Sequence, residues 1–348
     1  MTGPRWFVAV TLFAALLATG CGGGGDPTQP SGTDAPAGAT PATDGAATLA
    51  RVPAIYRRLE PSVVAVQVRG AQGSGEGSGV VYEERKIVTN HHVIVGAREI
   101  VVALASGERI DATLVASDPR TDLALLAVQR DLPPAPFAGS LPPVGSLTVA
   151  IGNPLGFEGS VTAGVLSGVD RAIPSGGRTP ALVNLLQTDA PISPGNSGGA
   201  LVGSDGNVIG INVAYIPPTA RAVSIGFAIP APTVVDVVRQ LAADGEVEHA
   251  FLGVQLRPLT ANVAEQLDVS TDEGAIVALV ESDGPADRAG LRAGDVIVAA
   301  GGRDVTAVED VLSVLRLSEP GDRIALTVMR DGDRRKLTIT TAQRPDSD

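Results

Sequence analysis

The chain has 348 residues, more than one compact domain usually holds, and 44% of them are hydrophobic. With 42 glycines, 26 prolines and only one Trp, three Tyr and six Phe, it favours short strands and turns over long amphipathic helices. A net charge of −12 repels phosphate backbones, a single cysteine excludes an internal disulfide, and three histidines make a structural zinc site a poor fit. No nucleic-acid partner, metal or cofactor is therefore expected.

In chain order, Arg5 supplies a positive start, and residues 6–20 form an unbroken apolar or small stretch. At about fifteen residues it is shorter than the roughly 20 that a spanning helix needs, so it reads as the core of an export signal. It ends in Leu17-Ala18-Thr19-Gly20-Cys21, which resembles the lipobox of bacterial lipoproteins, where the cysteine becomes the lipidated first residue. Ala18 stands where leucine is commoner. The expectation is a lipoprotein-type signal peptide over 1–21 with Cys21 lipidated, and hence an extracytoplasmic, membrane-anchored protein. The alternative is an ordinary signal or a short anchor with an incidental cysteine. Residues 22–48 hold Gly, Pro, Thr, Ala, Ser and Asp with almost no large apolar side chain. They cannot offset their ordering entropy and read as a flexible linker.

From about 62 to 230 the apolar runs are short and bounded by turn residues: 63–68, 79–82, 100–104, 123–128 and 147–152. Leu201-Val202, then Ser204-Asp205-Gly206-Asn207, then 208–213 reads as a hairpin with a glycine turn. Many such strands predict barrels or a sandwich. Residues 232–243 carry Val234, Val237, Val238 and Leu241 at helical spacing, with Pro232 near the start and Gly245 beyond the end. A second unit from about 250 to 343 mixes strands with two short helices. In one of these helices Thr306-Ala307-Val308-Glu309 has a capping-box pattern ahead of Val308, Val311, Leu312 and Leu315.

Three segments of the first unit carry chemistry: Thr89-Asn90-His91-His92-Val93, Thr121-Asp122-Leu123-Ala124 and Gly195-Asn196-Ser197-Gly198-Gly199. A serine hydroxyl is a weak nucleophile until a base takes its proton, and that base needs an acid to fix its tautomer. Glycines around Ser197 permit the tight turn by which the N–H groups of Gly195 and Ser197 converge on an oxyanion. Each piece alone is weak, since a Gly-Asn-Ser-Gly-Gly run is more often a turn and a lone histidine usually structural. The order and spacing together are not.

These segments resemble those of the HtrA (DegP/DegS-like) family of trypsin-fold serine proteases. The likeness extends to Gly75-Glu76-Gly77-Ser78-Gly79, Ile151-Gly152-Asn153-Pro154, Gln187-Thr188-Asp189-Ala190 and Gly210-Ile211-Asn212. Ser193 and Ala200 depart from the common Asn and Pro. The resemblance implies a mainly β fold: two six-stranded β-barrels forming a protease domain over 49–248, then an α+β PDZ domain over 250–343. It places the triad at His92, Asp122 and Ser197, with His91 a bystander in the variable position. Phe251, Leu252, Gly253 and Val254 match the PDZ carboxylate-binding loop. The implied function is an exported serine endopeptidase acting on misfolded or signal-bearing proteins, its PDZ domain binding peptides with free C-termini. A homotrimer is implied as well, with Tyr56 the best-placed of few aromatics. The alternative reading is a catalytically silent chaperone or peptide-binding scaffold.

Overall fold

The computed structural model describes residues 49–71, 73–153, 159–176, 180–216, 225–266, 269 and 271–345. The expected signal peptide with Cys21 and the linker lie outside the described residues. Helix α1 (Val52–Leu59) leads into β1 (Val63–Gly70), β2 (Gly73–Glu83), β3 (Lys86–Thr89), the short helix α2 (His91–Ile94), β4 (Ala97–Ala103), β5 (Arg109–Asp118) and β6 (Leu123–Val128). These six strands close a barrel in the order β1-β2-β3-β6-β5-β4. A second barrel, β7-β8-β9-β12-β11-β10, comprises β7 (Leu147–Gly152), β8 (Ser160–Ile173), β9 (Leu182–Thr188), β10 (Ala200–Gly203), β11 (Val208–Ile216) and β12 (Ile225–Pro230).

Both faces of the central strands are buried, which is why they read as continuous apolar runs rather than alternating ones. On β1, Val64 and Val66 fill the first barrel, whereas Val63 packs outward with α1 and the second barrel. On β10, Leu201 fills the second barrel while Ala200 and Val202 face that shared core. Helix α3 (Ala231–Ala243) lays Val234, Val237, Val238 and Leu241 into the same core, each nearly inaccessible. Burial of such a side chain contributes roughly 1.5–3 kcal/mol, so this stripe holds the two barrels together through one helix.

After α3 comes the second unit. β13 (Ala250–Phe251) pairs with β20 (Ala342–Gln343), and a larger sheet runs β14 (Val254–Pro258), β15 (Ala275–Val280), β16 (Val296–Ala300), β18 (Arg323–Arg330), β19 (Asp333–Thr340), with β17 (Arg303–Asp304) beside β16. Helices α4 (Ala261–Gln266), α5 (Pro285–Arg288) and α6 (Val308–Arg316) complete it. Buried Asp295 receives Arg330 through both oxygens, at 2.6 and 2.7 Å, and the Arg292 N–H at 2.8 Å, tying the β16 entrance to β18.

The cap of α6 differs from the sequence expectation. Ala307, not Thr306, is the N-cap, so the third helical position falls on Asp310 rather than Glu309. Asp310 reaches back to the N–H groups of Thr306 and Ala307 and to the Thr306 hydroxyl, at 2.8–2.9 Å. Alanine offers no side-chain acceptor, so only the reciprocal half of the box exists. Val311 is buried, and Val308, Val314 and Leu315 pack on the core of this unit. Leu312 instead lines a cleft with Pro180 and Val183 of the barrel unit.

Candidate active site

His92 sits at the start of α2, two residues beyond Asn90, and Asp122 immediately precedes β6. The His92 Nδ1–H donates to Asp122 Oδ2 at 2.6 Å, and the His92 backbone N–H donates to Oδ1 at 2.9 Å. The Asp122 carbonyl accepts from the Asn90 amide at 3.0 Å and from the His91 N–H at 3.1 Å. Four hydrogen bonds thus fix the carboxylate and its backbone against one turn of chain. Asp122 is buried and adopts φ 57°, a left-handed conformation that aspartate tolerates better than most residues. The proton on Nδ1 leaves Nε2 of His92 as the acceptor, the arrangement that a general base requires.

His91 turns elsewhere. Its Nδ1 lies 3.1 Å from the Ser117 hydroxyl, and burial pushes its pKa below the ordinary value.

Asp118, four residues ahead of Asp122, folds the connecting loop. It accepts the Arg120 N–H on Oδ1, and the N–H and hydroxyl of Thr121 on Oδ2, while His249 Nε2 reaches Oδ1 from beyond α3 at 3.1 Å.

Ser197 lies in the loop between β9 and β10, with Gly195 and Gly198 at φ 93° and 84°. This loop seats flush on β2 and β3. A Cβ on Gly198 would stand 2.1 Å from the Ser78 carbonyl, and one on Gly77 would meet both Val93 and the Ser197 carbonyl. Gly77 is thus the spacer between the serine loop and the helix bearing His92. The Ser197 hydroxyl donates to the Val213 carbonyl at 3.2 Å and makes no hydrogen bond with His92. Among the described residues the N–H groups of Gly195 and Ser197 have no acceptor, leaving two donors unused in the serine loop.

Phe251, Leu252, Gly253 and Val254 connect β13 to β14. The carbonyls of Leu252 and Gly253 are tied to Ala286 and Glu281, and Gly253 takes φ 75°. The Leu252 and Gly253 N–H groups have no acceptor among the described residues. β14 is an edge strand with β15 as its sheet neighbour, and α6 packs against it.

Three features escaped the sequence reading: the bonds made by Ser78, the His249–Asp118 pair, and two contacts from α6 to the barrel unit. In those contacts Arg316 donates to the Arg120 carbonyl at 2.7 Å, and Asn184 Nδ2 donates to the Ser313 hydroxyl at 2.6 Å.

This geometry defines a two-barrel protein of the trypsin fold, with a paired histidine and aspartate and a glycine-flanked serine, joined to a second unit with an open edge strand. Residues 77–211 match the trypsin-like peptidase domain and residues 250–341 match the PDZ domain. The solved structure of the HtrA-type protease AlgW with a tripeptide aligns at TM-score 0.67 and 36% identity, covering 85% of this chain and 98% of that one. The serine endoprotease from Yersinia pestis aligns at TM-score 0.62 and 34% identity, covering 84% and 98%. The chain belongs to the HtrA family of serine proteases. A Halomonas elongata protein named "Probable periplasmic serine endoprotease DegP-like" is 38% identical over 286 residues, covering 80% of this chain and 60% of the relative. A Brucella suis protein of the same name is 40% identical over 279 residues, covering 79% and 53%. The chain therefore spans just over half the length of these curated relatives.

Proposed function

We propose that this protein is an extracytoplasmic serine endopeptidase that cleaves misfolded or signal-bearing proteins, with residues 49–248 as its protease domain and 250–343 as its PDZ domain. The observation that carries the reading is the His92–Asp122 pair at 2.6 Å beside Ser197 and two free N–H donors. Ser197 Oγ attacks the scissile carbonyl carbon, its proton passes to His92 Nε2, and the N–H groups of Gly195 and Ser197 receive the oxyanion. Collapse breaks the C–N bond and returns that proton to the leaving amine. Water then repeats the sequence on the acyl-enzyme. Asp122 holds the imidazole tautomer throughout. The test is casein digestion by the wild type and by Ser197→Ala, and equal cleavage by both would refute it.

The Ser197 hydroxyl resting on Val213 is the one observation that favours a catalytically silent chaperone. With every triad member present and the His92–Asp122 bond made, we retain the protease.

The substrate pocket is apolar on this reading. Ile192 is buried against Gly226, and Asp189, the acid nearest to it in sequence, spends an oxygen on the Val165 N–H at 2.6 Å. The free N–H groups of Leu252 and Gly253 support capture of a peptide C-terminal carboxylate, the peptide adding as a strand to β14. Relatives named as periplasmic support export. No described helix is long and apolar enough to cross a membrane, and anchoring is assigned to a lipid on Cys21. Unchanged membrane retention of Cys21→Ser would refute that assignment. We also propose a homotrimer, to be measured by light scattering. Tyr56 packs on its own core with its hydroxyl on Glu60 at 3.0 Å, so other residues must supply most of the contact.

A further inference from the structure

Ser78 lies fully buried on β2, in the Gly75-Glu76-Gly77-Ser78-Gly79 run. Its hydroxyl donates to the Gly195 carbonyl at 2.6 Å and accepts the Asn153 N–H at 2.9 Å. Its backbone N–H donates to the Ser197 carbonyl at 2.7 Å, and its own carbonyl accepts from Thr89 Oγ1 at 2.7 Å. The two carbonyls that Ser78 holds belong to the two residues whose N–H groups form the oxyanion hole in the proposed mechanism.

We propose that Ser78 is a positioning residue for this reaction, its hydroxyl fixing the peptide plane after Gly195 so that the oxyanion donors stay aimed. The inference rests on Ser197 being the nucleophile and adds the group that orients its loop.

The loop needs such a clamp. Gly195 sits at φ 93° with no side chain to restrict its rotation. The Asn196 side chain does not anchor the loop, because both of its amide atoms are buried without a partner among the described residues. The Asn196 N–H closes only a local turn onto the Ser193 carbonyl, at 3.0 Å. What ties the loop to the barrel at Gly195 is the Ser78 hydroxyl. The Asn153 N–H occupies a lone pair of that hydroxyl and so helps direct its single proton to Gly195. Oxyanion donors act only within a few tenths of an ångström of their target, so a loosened Gly195 weakens the transition state more than the ground state.

The test uses the full-length protein, a fluorogenic peptide and a peptide boronate that forms a tetrahedral adduct with Ser197. The variants are Ser78→Ala and Ser78→Cys, with Ser197→Ala as the reference for the nucleophile. In both Ser78 variants kcat is expected to fall ~10–100-fold with KM within about twofold, somewhat less than the loss on deleting a direct oxyanion donor. Boronate affinity should fall by the same factor, while binding of an uncleaved peptide to the Ser197→Ala background stays unchanged. Cysteine fills the site, being slightly larger than serine, but donates weakly, so a purely space-filling role would be largely rescued by Ser78→Cys. Full kcat in Ser78→Cys, a kcat within threefold of wild type in either variant, or a loss confined to KM would overturn the proposal. Should Ser78→Ala fail to fold, Ser78→Cys decides alone. Cleavage surviving in Ser197→Ala would overturn the underlying catalytic reading, and is distinguishable from a failure of the Ser78 role alone.

Discussion

Asp118 offers the sharpest quantitative expectation, because its carboxylate is buried and fully engaged. It holds the Arg120 N–H and His249 at 3.1 Å on one oxygen, and the Thr121 N–H and hydroxyl at 3.1 and 2.5 Å on the other. Burial alone would raise its pKa. The hydrogen bond and charge of His249, the Thr121 bond and the Arg316 charge outweigh it and hold the group at about 2, against an ordinary 3.8. A shift of nearly two units corresponds to about 2 kcal/mol of folding stability at neutral pH. Because the folded value is depressed, that stability is present above the unfolded value of 3.8 and is lost as pH falls through about 2. Asp118→Asn, made in the Ser197→Ala background to prevent self-digestion, should therefore be destabilised by about 2 kcal/mol in urea unfolding at neutral pH. The difference from the Ser197→Ala parent should close between pH 3.8 and 2. A neutral-pH difference below ~0.5 kcal/mol, or one that stays constant across that window, would refute the reasoning. In the active protein the same substitution should also lower kcat, since it loosens the loop that ends in Asp122.

Two further expectations concern the site itself. His92→Ala should abolish cleavage and His91→Ala leave it largely intact, because His92 alone bonds the Asp122 side chain and His91 faces Ser117; inactivity of His91→Ala with an active His92→Ala would reverse the assignment. A peptide library should show medium apolar residues such as Val before the cut, since Asp189, the acid next in sequence to Ile192 among the described residues, is already bonded to the Val165 N–H, and a profile dominated by Lys or Arg would refute this.

Contiguous features were legible in the sequence. The apolar runs at 63–68 and 123–128 mark barrel strands because both faces of those strands are buried, and the α3 stripe shows its period directly. β8 was not singled out. Its Gly164 and Gly168, its exposed Val161, Val165 and Val169, and its register shifts against β9 erase any clean alternation. The histidine, aspartate and serine segments were readable because each is a short motif. The groups that orient them were not, since their partners lie far apart in sequence: 117 positions separate Ser78 from Gly195, 131 separate Asp118 from His249, and 196 separate Arg120 from Arg316. A serine between two glycines reads locally as a turn, and only closure of the barrels reveals what its hydroxyl touches. The Asp310 cap was missed for the opposite reason: a shift of one residue in the helix start changes which acid can reach back.

Helix α6 has two duties, and their conflict defines the last expectation. One side flanks β14, where an added peptide strand would lie, and the other is bound to the barrels through Arg316 to the Arg120 carbonyl and Ser313 to Asn184. Burial pushes the Arg316 pKa down and the Asp118 charge pushes it back up, so this contact shares its electrostatics with the loop that carries Asp122. A peptide added between β14 and α6, as proposed, would therefore bear on the catalytic loop through that helix. It alters turnover only if it binds the two arrangements of that element unequally, and a tenfold activation requires about 1.4 kcal/mol of difference. A short peptide with a free carboxylate and an apolar last residue should then speed cleavage of an independent substrate, and its amide should do so weakly. Arg316→Ala should blunt the response while leaving peptide affinity within about twofold, because the guanidinium faces the barrels rather than the groove. If the PDZ domain merely tethers substrate, the same peptide would compete with tethered substrates and leave independent ones untouched. A peptide response that persists after deletion of residues from Phe251 onward would place the control site elsewhere and end this line of reasoning.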